Sequence, residues 1–335
     1  MKVATITGVR QCALVDEPDP RPAGDIVVVK NHAAPMCTEY HAYRDGHASR
    51  RLGHEAAGEV VEVAQPGAVA PGDRVVVMPQ YPCGRCDLCR AGSYIHCEHA
   101  IDPLRATGSE AGTATYAQLI LKQDWLLIPI PDGMSYEHAS MACCGLGPTF
   151  GAMQLMNVNA HDTVLITGMG PVGLGGVINA RYRNARVIAV ESHPYRAGLA
   201  RTLGAEAVVD PTDDDALGTV RELTGGRGAD ASLDASGTAA AKPFLIEATR
   251  RTGRVAFVGW HGEVAASELI KKGLSVFGAW HWKLTDAPLM MKMVADLGPQ
   301  LDTLITHRFP MSSVADAWEL QLTGACGKIV LDPWS

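Results

Sequence analysis

The chain has no segment that could serve as a membrane span and no region rich in basic side chains. No run of about 18 uninterrupted apolar residues occurs, and the amino-terminal residues lack the apolar core of a secretion signal. Lysine and arginine total 29 against 36 aspartates and glutamates, so the net charge is −7. Because phosphate backbones are bound by clustered basic side chains, nucleic acid is not an expected partner. These absences predict a cytoplasmic protein without a membrane partner.

Signs of disorder and of repetition are also missing. Of the 335 residues 47% are apolar and 19% are charged, and no internal repeat or low-complexity tract occurs, which is typical of a compact protein of about two domains. Cysteine is the residue type that stands out, because the chain has nine and four of them are clustered. Disulfide frameworks belong to small secreted chains, so clustered cysteines in a chain of this length indicate metal ligands or reactive thiols.

The clustered cysteines follow the spacing C-x2-C-x2-C-x7-C in a turn-rich lobe. Four thiolates complete a tetrahedral zinc shell and leave no open position, so the predicted site is structural. An iron–sulfur cluster also uses four cysteines, and a redox role for one cysteine pair is a further alternative. The predicted zinc ligands are Cys83, Cys86, Cys89 and Cys97.

Two patterns of secondary structure divide the chain. Up to about residue 148, short β-type runs are broken by glycine and proline, which predicts a β-rich domain. From Asp162 onwards, buried-type strands alternate with helix-length segments, which predicts an α/β domain with a doubly wound parallel sheet. An amphipathic segment, Val314–Leu322, and a strand, Gly327–Leu331, are predicted near the end. The six strands predicted for the parallel sheet are Thr163–Thr167, Arg186–Val190, Ala207–Val209, Ala231–Asp234, Arg254–Val258 and Leu274–Phe277.

A glycine-rich turn, Gly168 to Gly173, follows the first of these six strands. It reads G-x-G-x-x-G, and Glu191 ends the next strand. In a dinucleotide-binding turn the first glycine permits the tight bend, the second lets the backbone approach the pyrophosphate, and the third packs the helix on the sheet. Glu191 would accept hydrogen bonds from ribose hydroxyls and repel a 2′-phosphate, which favours NAD. NADP remains an alternative cofactor, because Arg196 could hold its 2′-phosphate. The other alternative is that the segment is a tight turn that binds no dinucleotide.

These motifs resemble the zinc-dependent alcohol dehydrogenases of the medium-chain dehydrogenase/reductase superfamily. The similarity covers essentially the whole chain and includes, in the family's order, Gly53-His54-Glu55-x-x-Gly58, Gly72-Asp73-Arg74-Val75, the four-cysteine lobe and the glycine-rich turn. It implies a GroES-like β-rich catalytic domain and a Rossmann domain. The implied boundaries are 1–147 and 290–335 for the catalytic domain, 80–100 for its zinc lobe, and 148–289 for the Rossmann domain.

The resemblance also implies a second, catalytic zinc, for two zincs per chain. Such a zinc has three protein ligands and an open fourth position. The matching residues are Cys37, His54 and Cys144, the last chosen over the adjacent Cys143 because of its spacing from the next aromatic residue. Glu55 would steady the metal or bind it transiently. Cys143 remains an alternative ligand.

The proton relay is where the chain departs from the family. The family pattern places a Ser or Thr two positions after the first cysteine ligand and a His five positions after it. Here Thr38 and His41 each lie one position early. They are the predicted relay residues, with Glu39 or Tyr40 as alternatives.

The predicted cofactor contacts combine the turn, and the acidic and basic residues that follow it, with two residues at a strand end, where an open α/β sheet holds its ligand, and with Thr149. They are Gly168, Gly170, Pro171, Val172, Gly173, Glu191, Arg196, Val258, Gly259 and Thr149.

The predicted activity is hydride transfer between an alcohol and NAD. Zinc would lower the pKa of the substrate hydroxyl, and Thr38 would pass its proton towards His41. A secondary alcohol or polyol is favoured, since Trp280 and Trp282 could stack on a sugar-like substrate, although interface or core packing is the commoner role of such residues. The alternatives are an NADPH-dependent aldehyde or ketone reductase and a zinc-stabilised dinucleotide-binding protein without turnover. A homodimer or homotetramer is expected.

Overall fold

The computed structural model describes residues 1–335, which form two compact units. None of its helices combines the length and the apolar composition that crossing a bilayer requires. Unit 1 comprises Met1–Cys144, Lys283–Thr323 and Lys328–Ser335, and unit 2 comprises Gly145–Trp282 and Gly324–Gly327.

Fifteen strands and thirteen α-helices make up the regular structure. The strands are β1 (Lys2–Gly8), β2 (Gln11–Asp16), β3 (Ile26–Pro35), β4 (Ala56–Glu62), β5 (Arg74–Val77), β6 (Leu119–Gln123), β7 (Leu127–Pro129), β8 (Thr163–Thr167), β9 (Arg186–Val190), β10 (Ala207–Val209), β11 (Ala229–Asp234), β12 (Thr249–Phe257), β13 (Ser275–Gly278), β14 (Ile305–Pro310) and β15 (Lys328–Asp332). The helices are α1 (Tyr40–Asp45), α2 (Asp87–Arg90), α3 (Pro103–Thr107), α4 (Tyr136–Ser140), α5 (Gly147–Leu155), α6 (Pro171–Tyr182), α7 (Pro194–Thr202), α8 (Ala216–Leu223), α9 (Ala241–Ala248), α10 (Ala266–Lys272), α11 (Ala287–Asp296), α12 (Gly298–Leu304) and α13 (Val314–Thr323).

Unit 1 is organised around the long strand β3, which pairs antiparallel with β4 and β6 and, at its end, with β15. The sheet order is β14-β15-β3-β4-β5-β7, and β1 and β2 form a separate antiparallel pair. Almost every residue of β3 is buried, and its sequence is apolar at consecutive positions on both sides of a short polar segment, Lys30 to His32. The core of this sheet is formed by Val27, Val29, Ala56, Val60, Val69, Val75, Val77, Ile120 and Leu127.

Unit 2 contains a six-stranded parallel sheet of order β10-β9-β8-β11-β12-β13. In its register Leu165 lies opposite Ile188 on one side and Ser232 on the other. Strands of such a sheet are covered on both faces, so β8 and β9 are apolar at consecutive positions. The doubly wound parallel sheet predicted from the sequence is therefore confirmed.

Candidate active site

Two groups of metal-ligand side chains come together in unit 1. One consists of Cys37, His54, Glu55 and Cys144, and the other of the four lobe cysteines. In each group the potential ligand atoms all lie within 4.8 Å of one another. All nine cysteines of the chain are free thiols, so no disulfide competes with a metal for these sulfurs.

The first group gathers residues from three separate parts of unit 1. Cys37 follows β3, His54 and Glu55 precede β4, and Cys144 is the last residue of the first segment of unit 1. The Cys144 Sγ lies 3.3 Å from His54 Nε2. A zinc with bonds of about 2.3 Å to sulfur and 2.0–2.1 Å to nitrogen holds such atoms about 3.6 Å apart, so the donor set fits zinc.

Glu39 holds the other nitrogen of the histidine. Its Oε1 lies 2.7 Å from His54 Nδ1, while its Oε2 accepts hydrogen bonds from the Tyr116 hydroxyl at 2.9 Å and the Cys37 amide at 3.2 Å. Burial raises the pKa of Glu39, but the charge of His54 and its hydrogen bond outweigh this effect and lower the pKa to about 2. An ionised carboxylate therefore fixes the orientation of His54 and directs Nε2 towards the thiolates.

Glu55 forms a completely buried ion pair. Its Oε1 accepts a hydrogen bond of 2.6 Å from the Lys328 ammonium, and its Oε2 accepts one of 3.1 Å from the Cys144 amide. Burial raises the pKa of Glu55 to about 7, although the charge of Lys328 opposes this shift. Lys328 is the first residue of β15, so the carboxyl-terminal strand supplies a cation that the sequence reasoning missed.

The adjacent cysteines Cys143 and Cys144 point to different environments. The Cys143 thiol is buried and donates a hydrogen bond to the carbonyl of Val77 at 3.4 Å, and burial raises its pKa. Only Cys144 belongs to the ligand group with His54. The geometry thus favours Cys144 as the ligand of this pair.

The predicted relay residues lie at the surface. Thr38 and His41 are both exposed, and the His41 amide donates a hydrogen bond to the Thr38 carbonyl. The His41 ring lies 4.1 Å from the ring of Tyr40, at the start of α1. Glu39, one of the alternatives for this relay, contacts the histidine of the ligand group.

The lobe cysteines surround one point with their sulfurs. The Cys86 Sγ lies 3.5 Å from Cys89 Sγ and 3.9 Å from Cys97 Sγ. Amides of Cys83 and His99 donate to the Cys97 sulfur at 3.2 and 3.4 Å, as expected of a thiolate. Tetrahedral zinc with bonds of about 2.3 Å places sulfurs about 3.8 Å apart, so these four residues fit a zinc with a closed shell.

The glycine-rich turn of unit 2 connects β8 to the start of α6. Gly168 has a φ of +79°, a conformation that favours glycine. A Cβ on Gly173 would lie 1.8 Å from the Gly168 carbonyl oxygen, so only glycine fits there. Gly170 immediately precedes the helix, and Pro171 and Val172 begin it. The turn thus has the strand–turn–helix context that the dinucleotide motif requires.

Glu191 follows β9 and faces this turn. Its carboxylate accepts hydrogen bonds of 2.8 Å from the amides of Met169 and His193. Arg196 lies two residues into α7 and contacts the Cys326 thiol. The acidic side chain is therefore held beside the turn by two backbone donors.

The remaining predicted cofactor residues occupy two kinds of position. The amides of Val258 and Gly259, after β12, both donate to the carbonyl of Asp234 at 3.0 Å, so they lie at the carboxyl end of the parallel sheet. Thr149 is completely buried in α5, where its hydroxyl donates to Leu146 and accepts a hydrogen bond from Asn179 at 2.8 Å. Its hydroxyl is thus occupied within unit 2.

The two tryptophans considered for substrate stacking have different surroundings. Trp282 is 2% exposed and is arranged edge-to-face with Phe150, with ring centroids 6.2 Å apart, so it packs inside unit 2. Trp280 is 39% exposed and pairs edge-to-face with Trp260, which is 75% exposed. The two side chains do not form one stacking surface, and any aromatic platform would consist of Trp260 and Trp280.

Comparison with known proteins gives matches along the whole chain. Residues 23–132 match the alcohol dehydrogenase GroES-like domain, and residues 171–296 match the zinc-binding dehydrogenase domain. The L-threonine 3-dehydrogenase of Coxiella burnetii is 31% identical over 94% of this chain and 94% of its own length. This chain belongs to the zinc-type alcohol dehydrogenase family of the medium-chain dehydrogenase/reductase superfamily.

Other members of the zinc-type alcohol dehydrogenase family agree in sequence and in structure. The D-arabitol-phosphate dehydrogenase of Enterococcus avium is 28% identical over 97% of this chain and 95% of its own length. The crystal structure of an NAD-dependent alcohol dehydrogenase superposes with a TM-score of 0.85 at 27% identity, covering 99% of both chains. The predicted family, the fold of GroES-like and Rossmann domains, and the oxidoreductase class acting on alcohols are thereby confirmed.

Proposed function

We propose that this chain is a zinc- and NAD-dependent dehydrogenase that transfers hydride between a secondary alcohol or polyol and NAD. The observation that carries this proposal is the ligand group of Cys37, His54 and Cys144, in which Glu39 orients the histidine. A zinc that only stabilises a fold is usually enclosed by four ligands of its own, whereas three ligands and an open position characterise catalytic zinc.

The residues that would hold the two zincs have distinct roles. Cys37, His54 and Cys144 would bind the catalytic ion, and the four lobe cysteines would bind the structural one. When bound, zinc supplies Lewis acidity towards a hydroxyl oxygen, and NAD supplies the hydride acceptor. The chain's own contribution at this site is orientation, because the Glu39 carboxylate contacts Nδ1 of His54 and so leaves Nε2 as the nitrogen that faces the thiolates.

The buried pair of Glu55 and Lys328 would control the charge beside the metal. Two thiolates and a carboxylate would place three negative charges on one divalent ion, and the Lys328 ammonium offsets one of them. While Lys328 holds the Glu55 carboxylate, the fourth position stays available to a substrate oxygen. Glu55 would therefore be a positioning residue rather than a permanent ligand.

The substrate proton would leave through Thr38 and His41. Both side chains reach the surface, and their backbone hydrogen bond keeps them adjacent. An imidazole at the surface can pass a proton on to water, which suits the last position of a relay.

NAD is the proposed cofactor because Glu191 presents a carboxylate beside the glycine-rich turn. Such a group would accept hydrogen bonds from the two ribose hydroxyls and would repel the 2′-phosphate of NADP. The competing function, an NADPH-dependent aldehyde or ketone reductase, is favoured only by Arg196 on α7. The polyol preference is supported by the relative that is named as a D-arabitol-phosphate dehydrogenase. We further propose that the enzyme works in the cytoplasm as a symmetric homodimer or homotetramer.

A single assay series tests the proposal. The zinc-loaded protein would be incubated with small secondary alcohols, pentitols, hexitols and their phosphates, each with NAD and with NADP, and reduced nicotinamide would be followed by absorbance. We expect reduction of NAD with at least one alcohol and a preference for NAD over NADP. Absence of turnover with every alcohol, despite about two zincs per chain by elemental analysis, would contradict the proposal.

A further inference from the structure

A cavity of about 140 Å³ lies in unit 1 next to the ligand group. On the same measure a single water needs about 10–15 Å³, so the cavity holds more than a few solvent molecules. His54 forms part of its wall, but no aspartate or glutamate does. The lining residues are Arg51, Gly53, His54, Val77, Pro79, Gln80, Tyr81, Thr113, Thr115, Ile120 and Lys122.

Lys122 on β6 is a buried amine in this wall. It is 2% exposed, its Nζ donates to the Gln80 carbonyl at 2.6 Å, and it lies 3.9 Å from the centre of the Tyr81 ring. Neither of these partners carries a negative charge. Burial accordingly lowers the pKa of Lys122 to about 7. A buried ammonium without a carboxylate is costly, so an anion in the cavity would be strongly favoured.

The backbone next to Lys122 is held in an unusual conformation. Gln80 has a φ of +67°, which few residues other than glycine adopt. In this conformation its carbonyl accepts the Lys122 hydrogen bond. Strained backbone of this kind is concentrated at ligand-binding sites, where the surrounding structure maintains it.

Two further donors complete the wall. The Thr115 hydroxyl is buried, with the residue 1% exposed, and it has no hydrogen-bond partner in the chain. The Arg51 side chain is 45% exposed, and its nearest carboxylate, that of Glu110, lies 3.9 Å away. A lysine that served only to pack against Tyr81 would require neither of these groups. Lys122, Arg51 and Thr115 together offer an ammonium, a guanidinium and a hydroxyl to one occupant of the cavity.

We propose that this cavity is a subsite for the anionic end of the substrate, a phosphate monoester or a carboxylate, which Lys122, Arg51 and Thr115 would bind. The inference rests on the proposed function and narrows its substrate class to anionic alcohols. Because His54 lines the same cavity, the anion would belong to the molecule whose hydroxyl reacts. Hydrogen bonds to charged groups contribute more than neutral ones, and arginine suits both anions through its two parallel donors.

The first test measures anion binding without turnover. Sodium sulfate and sodium acetate would be titrated calorimetrically into the zinc-loaded protein at constant ionic strength. We expect at least one of them to bind, with a Kd at least tenfold higher in Lys122→Met and in Arg51→Gln than in Lys2→Met, which changes an exposed lysine outside the cavity. Arg51 is half exposed, so its variant keeps the test valid if Lys122→Met fails to fold.

The second test measures specificity. Two ratios of kcat/KM would be compared across the same variants. The first is that for a pentitol phosphate over that for the same pentitol, and the second is that for a hydroxy acid over that for its neutral alcohol. A preference for the phosphate together with sulfate binding assigns the subsite to phosphate monoesters, and a preference for the acid together with acetate binding assigns it to carboxylates. In either case the ratio falls at least tenfold in Lys122→Met.

The failure of this inference differs from the failure of the proposed function. If neutral alcohols are oxidised but sulfate and acetate bind equally to the natural protein and to all three variants, the anion-subsite proposal is wrong and the dehydrogenase proposal stands. If no alcohol is oxidised while anion binding still depends on Lys122 and Arg51, the dehydrogenase proposal fails and the anion site remains.

Discussion

Glu39 Oε1 lies 2.7 Å from Nδ1 of His54, so a carboxylate two residues after Cys37 orients a histidine fifteen residues further along the chain. This contact couples two segments that both contribute to the ligand group. Partners of this kind typically account for 10–100-fold in metal affinity or activity.

Glu39→Gln should therefore lower zinc affinity and kcat/KM by about 10–100-fold while leaving the fold intact. Glutamine keeps the size of the side chain but removes the charge that stabilises the His54 Nδ1–H. Zinc affinity is measured by competition with a chromophoric chelator. Tyr116→Phe is the matched control, because it removes a neutral donor to the same carboxylate, together with a 3.3 Å hydrogen bond from the Cys37 amide, and leaves the charge of Glu39 in place. An equal loss in both variants would contradict the assigned role.

The adjacent cysteines provide a second test. Cys144→Ala should reduce the zinc content from about two ions per chain to about one and abolish activity, because a ligand is lost. Cys143→Ala should keep both ions and cost only on the order of 1 kcal/mol of stability, since that thiol is a buried donor to Val77. Elemental analysis of the two purified variants distinguishes the neighbours. Retention of two zincs by the Cys144 variant would contradict the assignment of Cys144 as a zinc ligand.

The four-cysteine lobe should contribute to stability rather than to chemistry. We expect Cys89→Ser to lose about one zinc and to lower Tm by more than about 5 °C, because structural zinc contributes directly to folding free energy. Cys12→Ser serves as the control, since Cys12 lies outside both ligand groups. Scanning calorimetry with zinc analysis gives the comparison. An unchanged Tm after loss of the ion would argue against a structural role.

Cofactor preference should depend on Glu191. In Glu191→Ala the ratio of kcat/KM with NAD to that with NADP should fall about tenfold or more, because hydrogen bonds to a charged group contribute about 1.5–3 kcal/mol and 1.4 kcal/mol corresponds to a factor of ten. Glu206→Ala removes another acid of unit 2, one paired with Arg186, and should leave the ratio unchanged. The prediction is refuted by equal ratios in the two variants.

Stability should depend on pH through Lys122. Burial lowers its pKa from the ordinary 10.5 to about 7, so between these values the unfolded chain binds more protons than the folded chain, and stability rises with pH. Lys122→Met removes this dependence. We compare the free energy of unfolding of the variant with that of the natural protein in anion-free buffer. The difference in favour of the variant should be about 3 kcal/mol larger at pH 6.5 than at pH 9.5. Denaturant titrations of both proteins at both pH values measure these free energies. If the variant exceeds the natural protein by the same amount at both pH values, the pKa of Lys122 is not lowered.

Much of the parallel sheet was predictable because its strands are uninterrupted apolar runs. The strands Thr163–Thr167, Arg186–Val190 and Ala207–Val209 have the predicted bounds. The strand predicted as Arg254–Val258 begins earlier, at Thr249, since its first residues, Thr249 to Gly253, form a polar, partly exposed extension. The strand Ile305–Pro310 was missed because it contains His307 and Arg308 and has no apolar pattern.

The candidate site was predictable only where ligands recur at short spacing or in a known motif. The lobe cysteines and the pair His54 and Glu55 are of this kind. Glu39 lay in a segment where the family spacing is shifted, so its contact with His54 depended on the folded backbone. Lys328 gave no signal, because a lone lysine in a strand is usually at the surface and only the fold brings it to Glu55.

The ion pair of Glu55 and Lys328 also has a consequence for biosynthesis. The two residues are 273 positions apart in the sequence. At translation rates of about 5–20 residues per second, Glu55 waits roughly 14 to 55 s on the ribosome for its counter-charge. During that interval the Glu55 carboxylate has no Lys328 to pair with, so assembly of the metal centre is completed only after β15 has been synthesised.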